Sequence, residues 1–441
     1  MSEPWFEELA SFLRIPSISA DAALAGEVVR AGEWVRDFIR AAGGTCELVD
    51  WHGQPLAIGE LRASSAPERA PTVLCYGHFD VQSPDPLDLW ESPPFEPELR
   101  DEYLYGRGTV DDKGQLYMLL AAARELAVAG DLPVNVRFCC DGEEETGGHS
   151  IVEFLEADER GADAAVVFDS GMIRRGLPAF DVAVRGMTYF HLTVRTGARD
   201  LHSGIYGGAA LNAIHVLVRI LDSLIAHDGL LVDELRRGIV PPTDGELRGW
   251  EELPGGPSEL GEMGARPKDA AAARDFYLRT FAEPSLDVNG IFSGSPHLQK
   301  TVLPVEAVAN VSIRLAPGQQ VEEIASEVER LLRAGLPDGA ELEIERWSWS
   351  PPGLVPPDSQ AITLGLDAFE RVVGVRPALI RSGGSIPIVP ALSDRGIPVV
   401  VTGFGLPDAQ IHSPNERLLA AYVPLGIAAA RELFRAFGEL S

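Results

Sequence analysis

Two histidines and a set of carboxylates stand at five separated places in the chain, most of them flanked by glycine. They are Gly77-His78-Phe79-Asp80, the run from Gly106 through Asp111-Asp112 to Gly114, the run Asp141-Gly142-Glu143-Glu144-Glu145-Thr146-Gly147, then Asp169, and finally Gln410-Ile411-His412-Ser413. Mixed imidazole and carboxylate ligation suits zinc or a similar divalent ion. Two such ions about 3.5–4 Å apart, sharing one bridging carboxylate, activate a water and polarise a carbonyl together. A further carboxylate, off the metals, must then carry the proton from water to the leaving group. Each cluster alone has a plainer reading. A histidine at a strand end is usually a satisfied structural group, three successive glutamates a solvated face or helix start, and Asp-Asp beside Gly a turn. The five together are much harder to reach by accident.

The elements that must position these residues follow from periodicity. Residues 23–42 carry Val28, Val29, Trp34, Val35, Phe38 and Ile39 at helical spacing. A short apolar strand over 72–76 ends in Gly-His, an Ala/Leu-rich helix spans 114–129, and strands at 134–140 and 164–168 close on Asp141 and Asp169. Short apolar strands alternating with helices predict an α/β fold, a mostly parallel sheet flanked by helices. Ligands of such sheets bind at the carboxyl ends of the strands, where His78, the 141–145 run and Asp169 all fall. From about residue 185 the pattern changes. A half-exposed strand at 189–196, a long helix at 209–226, strands at 286–292 and 307–315, a helix at 320–334 and a strand at 340–347 make β-α-β-β-α-β. That order predicts an inserted ferredoxin-like α+β domain, interrupted by an acidic, Pro/Gly-rich stretch at roughly 228–285. After Pro351, Pro352, Pro356 and Pro357, α/β patterning returns and ends in a helix at 421–438. The expected organisation is a catalytic domain from 1–184 and 350–441 and an inserted domain at 185–349.

Composition narrows the function classes. The 441 residues suggest two or three domains. The chain carries 66 Asp and Glu against 37 Lys and Arg, a formal charge of -29, which repels phosphate backbones and anionic lipid and argues against nucleic-acid or membrane partners. Cys46, Cys75, Cys139 and Cys140 have no CxxC spacing, so neither a disulfide framework nor a cysteine zinc site is expected. The N-terminus reads as an amphipathic acidic helix rather than a signal segment, and no apolar run reaches about 20 residues, so the expected location is the cytoplasm.

Six segments in order, GHFDVQ, GRGTVDDKG, EEETGG, RDLHSGIYGG, NVSIRLAPG and GGSIPIV, resemble the two-metal metallopeptidases that include carnosine-type dipeptidases, carboxypeptidase G, aminoacylase and succinyl-diaminopimelate desuccinylase. The likeness spans nearly the whole chain and is greatest to the dipeptidase branch. It implies that His78 and Asp169 bind one ion, Glu145 and His412 the other, and that Asp111 bridges them, with zinc, manganese or cobalt as the metal. It implies Glu144 as general base, leaves Glu143 as surface, and assigns Asp80, two residues from His78 on an extended backbone, to holding that imidazole. A cis peptide is expected at Asp111-Asp112. In the inserted dimerisation and lid domain, His202 resembles the histidine that reaches the partner subunit's active site and donates to the oxyanion. Arg314 resembles the arginine that grips a substrate carboxylate, with Gly384 and Ser385 lining the same pocket. The plainer alternatives are a buried His202 and a surface-paired Arg314, while His149, His191 and His215 read as structural. The implied activity is metal-dependent hydrolysis of dipeptides or short peptides with a free carboxylate, by a homodimer. A deacylase of N-acyl amino acids using the same ions, a non-catalytic metal scaffold and a purely structural dimerising protein remain as alternatives.

Overall fold

The computed structural model describes residues 3–251, 253–295, 297–384 and 386–440. They form two compact units, one built from Met1–Val182, Val355–Ile380 and Pro387–Ser441, the other from Ala183–Leu354 and Arg381–Ile386.

In the first unit the strands lie in the order Thr45–Trp51, Gln54–Leu61, Asn135–Asp141, Thr72–His78, Ala164–Gly171, Val399–Gly405 and Ala179–Val184. Thr72–His78 runs parallel to both of its neighbours, and Val399–Gly405 parallel to Ala164–Gly171. The first two strands form a hairpin whose tip, His52-Gly53, has positive φ at both positions (54° and 91°), the geometry that matches strand twist. Strands buried on both faces read as continuous apolar runs, and Thr72–His78 is buried from Val73 onward. Register sets His78 beside Asp141 at the carboxyl edge. Helix Lys113–Ala129 is buried along most of its length and stops at Gly130, whose φ of 73° is the left-handed cap that glycine permits. The amphipathic N-terminal segment is helical over Phe6–Leu13 and buries Leu9, Ala10, Phe12 and Leu13. All four cysteines are buried and free. Among the described residues, no helix is long and apolar enough to cross a membrane.

The second unit has the expected β-α-β-β-α-β order: Gly186–Arg195, Ala213–Asp222, Ser285–Phe292, Glu306–Leu315, Val321–Ala334 and Glu341–Ser350. Its four strands pair antiparallel in the order Ser285–Phe292, Glu306–Leu315, Gly186–Arg195, Glu341–Ser350, a ferredoxin-like sheet. One face carries Phe190, Leu192, Val194, Ala309, Val311 and Ile313, which form a core with Val216, Leu217 and Ile220 of the first helix and Ile324, Val328 and Leu332 of the second. The helix expected at 209–226 is shorter at both ends. Asn212 caps it by accepting from the Ile214 and His215 amides, and it ends at Asp222. The last strand runs past 347 to Ser350, because a bulge between Arg346 and Ser348 lets pairing resume.

Candidate metal centre

The parallel strands bring three of the clusters to one edge of the first unit, and the loops carrying Asp111 and His412 complete the group. His78 Nε2 lies 2.9 Å from Asp111 Oδ1 and 3.9 Å from Asp169 Oδ1. His412 Nε2 lies 2.8 Å from Asp111 Oδ2 and 3.1 Å from Glu145 Oε2. Among the described residues, two groups could therefore hold a metal ion: His78, Asp111 and Asp169, and Asp111, Glu145 and His412. Asp111 belongs to both, one carboxylate oxygen toward each imidazole.

Neighbouring side chains hold these groups in place. The Nδ1 of His78 sits 3.2 Å from the Asp80 carbonyl and 3.3 Å from its Oδ1, which orients the other ring nitrogen toward Asp111. Asp80 also accepts from Ser19 Oγ at 2.6 Å and from the amides of Glu144 and Glu145 at 3.2 and 3.1 Å. One carboxylate thus ties the histidine strand to the glutamate turn. Glu145 accepts from the Gln82 amide and from Gln82 Nε2, both at 3.0 Å. A non-proline cis peptide joins Asp111 to Asp112. Asp112 accepts from the His78 amide at 3.2 Å, while its other oxygen, fully buried, has no hydrogen-bond partner.

The loop that presents Asp111 closes around Glu416. This wholly buried carboxylate accepts from Arg107 Nη1 at 2.7 Å and from the amides of Gly108, Val110 and Asp111 at 2.9, 2.8 and 3.2 Å. The same loop demands a glycine at 114, where a Cβ would fall 1.9 Å from the Thr109 carbonyl oxygen.

So many carboxylates in so little water shift one another. Burial, reinforced by Glu145, Asp111 and Asp80, pushes Glu144 up to about 8, although His78 opposes it. Burial also raises Asp169 well above the carboxylate range. Burial works against charge on Asp111 too, but His412 and His78 outweigh it and hold that group low. Hydrogen bonds to Asp111 and Glu145 raise His412 to about 10. Two imidazoles and three carboxylates fit a pair of divalent cations, whose charge would pull the raised groups back down and hold Asp111 lower still.

Sequence reasoning singled out His78, Asp80, Asp111, Glu144, Glu145, Asp169 and His412, and the structure gathers all seven. It did not single out Ser19, Gln82, Arg107 or Glu416; Glu416 stands four residues after His412, the one local hint that it serves the same loop. Glu143 is not plain surface. Its Oε1 accepts from the Ser150 amide at 2.7 Å and so satisfies the first turn of helix His149–Ala157. Of the other candidates, His202, Arg314 and Gly384 lie in the second unit, and Ser385 falls outside the described residues. His202 is exposed rather than buried, and its Nδ1 accepts from the Gly204 amide at 3.0 Å. Arg314 stands half-buried on the sheet opposite Ser285 and Met187. His191 is held by Asn310 at 2.7 Å and stacks on Trp347.

The family described as Peptidase family M20/M25/M40 matches residues 74–436. The chain is 29% identical to the Cys-Gly metallodipeptidase of Schizosaccharomyces pombe, over 93% of this chain and 90% of that protein. It is also 29% identical to the Beta-Ala-His dipeptidase of Homo sapiens, over 82% of this chain and 74% of that protein. Among solved structures, the dipeptidase Dug1p of Saccharomyces cerevisiae superposes with a TM-score of 0.82 at 25% identity, covering 99% of this chain and 96% of that one.

Proposed function

Because the chain belongs to peptidase family M20/M25/M40, we propose that this peptidase hydrolyses dipeptides with two divalent ions. His78 and Asp169 would hold one ion and Glu145 and His412 the other, with Asp111 shared between the two groups. The observation that carries the reading is Asp111 itself, whose two oxygens approach His78 at 2.9 Å and His412 at 2.8 Å. Zinc suits this mixed set best, with manganese and cobalt as alternatives. When bound, the pair supplies a Lewis acid for the scissile carbonyl and lowers the pKa of water.

The chain's own residues do the rest. Glu144 takes the proton from water and returns it to the departing amine. Asp80 keeps His78 in one orientation and, through the two amides it accepts, keeps Glu144 beside Glu145. His202 donates to the developing oxyanion, from the second copy of a homodimer. Arg314 grips the substrate's free carboxylate as a two-pronged donor, and Gly384 and Ser385 line that pocket. Buried, free cysteines suit a reducing cytoplasm.

The names of the relatives favour dipeptides over N-acyl amino acids, the second reading for the same ions. Amine release from a panel of both, with zinc or manganese, after chelation, and with Glu144→Gln, decides between them. Metal-dependent dipeptide cleavage that collapses in Glu144→Gln is expected. Cleavage of acyl amino acids alone moves the protein to the deacylases, and silence with metal bound overturns the catalytic reading.

A further inference from the structure

The range Arg381–Ile386, which carries Gly383 and Gly384, belongs to the second unit, although the chain on either side of it belongs to the first. Two arginines account for that. Arg381 is 1% exposed and donates Nε to Glu246 Oε1 at 2.7 Å and Nη1 to the Val240 carbonyl at 3.0 Å. Glu246 is itself 5% exposed, inside the 228–285 insertion, and accepts from the Thr243 amide at 2.7 Å in a capping box that starts helix Asp244–Trp250. A buried charge pair of this kind is costly to break from one side, so the insertion clamps the start of the glycine segment.

The second arginine approaches from the other side. The Arg185 amide donates to the Ser382 carbonyl at 3.2 Å, and its Nε donates to the Gly383 carbonyl at 3.1 Å. Its Nη1 reaches the Glu283 carbonyl at 3.4 Å and Ser285 Oγ at 3.5 Å. Ser285 is the register partner of Arg314 on the neighbouring strand. One guanidinium therefore links the glycine segment to the strand position facing Arg314. Burial, with the like charge of Arg314, brings Arg185 down to about 10, which sets both guanidiniums in one field. A Cβ at Gly383 would come 3.3 Å from the Thr280 carbonyl oxygen, tighter than ordinary contact, so the segment is closely fitted there as well.

We propose that Arg185 and the Arg381–Glu246 pair are positioning residues that hold the Gly383-Gly384 backbone beside Arg314, so that the 228–285 insertion sets how strictly the enzyme demands a substrate carboxylate. This rests on the reading of Arg314 as the carboxylate-binding residue. On that reading the Arg314 guanidinium and the glycine backbone would meet the same carboxylate, and a contact displaced by about 1 Å loses oriented binding.

The test is the ratio of kcat/KM for a dipeptide with a free carboxylate to that for the same dipeptide amidated at its C-terminus. It is measured for wild type, Arg185→Met, Arg185→Lys, Glu246→Gln and Arg314→Met, with bound metal assayed in each. Glu246→Gln keeps the side-chain shape and serves where a larger truncation would not fold. Arg185→Met and Glu246→Gln are expected to lower the ratio roughly tenfold, chiefly through KM of the free acid, with metal content retained. Arg185→Lys is expected to recover little, because it keeps charge without the guanidinium geometry. If Arg314→Met collapses the ratio while the other variants leave it at the wild-type value, the positioning proposal alone is overturned. If Arg314→Met also leaves the ratio intact, the carboxylate reading has failed and the proposal with it.

Discussion

Replacing Glu416 by alanine removes one acceptor from four donors at once: Arg107 Nη1 at 2.7 Å and the amides of Gly108, Val110 and Asp111 at 2.8–3.2 Å. Arg107 is 1% exposed and Glu416 fully buried, so solvent cannot replace the lost partner without opening the loop. Breaking such a pair from one side costs about 3–5 kcal/mol, mostly because the remaining charge is left uncompensated. Because the Asp111 amide is one of the four donors, the bridging carboxylate loses its anchor as well, and metal affinity should fall roughly 10–100-fold, as when a ligand loses its supporting hydrogen bond. Urea unfolding of the metal-free protein and competitive metal titration measure the two effects separately. Arg107→Met combined with Glu416→Ala should cost less than the sum of the single changes, because no charge is then stranded. A Glu416→Ala protein within about 0.5 kcal/mol of wild type, with unchanged metal affinity, would refute the reasoning; so would strict additivity in the double variant.

Other consequences follow from the same geometry. Glu144→Gln should lower kcat by roughly 10²–10⁴ while metal content, read by elemental analysis, stays at the wild-type level. Asp111→Asn should release metal from both positions rather than one, since the carboxylate faces both histidines; loss of half the metal would contradict a bridging role. Gly114→Ala should destabilise the protein and weaken metal binding together, because the new Cβ would fall 1.9 Å from the Thr109 carbonyl. Asp181, a member of neither candidate metal group, supplies a pH test. Burial pushes its carboxyl up to about 7, opposed by the hydrogen bond from Ser170, against about 3.9 in the unfolded chain. Below about pH 4 both states are protonated; between there and about pH 7 only the native state keeps the proton, so this contribution to stability falls as pH rises, by on the order of 4 kcal/mol. Asp181→Asn should therefore flatten the fall in thermal midpoint between pH 5 and 8, and an unchanged slope would reject the assignment.

Much of this architecture is legible in local pattern. Val73 to Tyr76 is apolar without alternation because the strand is covered on both faces, and the sheet order then delivers His78 and Asp169 to one edge. In the second unit, half-exposed Met187, Tyr189 and His191 alternate with buried Thr188, Phe190 and Leu192 because only one face of that sheet meets helices. The helix expected at 209–226 exceeds the observed one because apolar periodicity continues past its true ends; the cap at Asn212 is a hydrogen-bonding event that periodicity does not report.

Residue type and spacing therefore determined the α/β and ferredoxin-like layers, the acidic surface and the five clusters that offer ligands, since a strand or helix registers its burial in its own sequence, while the resemblance to the two-metal peptidases picked the seven side chains out of those clusters. Tertiary structure alone decided what holds them. Ser19 meets Asp80 across 61 positions, Glu416 meets Asp111 across 305, and Arg381 meets Glu246 across 135. No local period encodes such pairs. A buried carboxylate or guanidinium looks like any surface charge in the sequence, and only the fold removes the water that makes its partner obligatory.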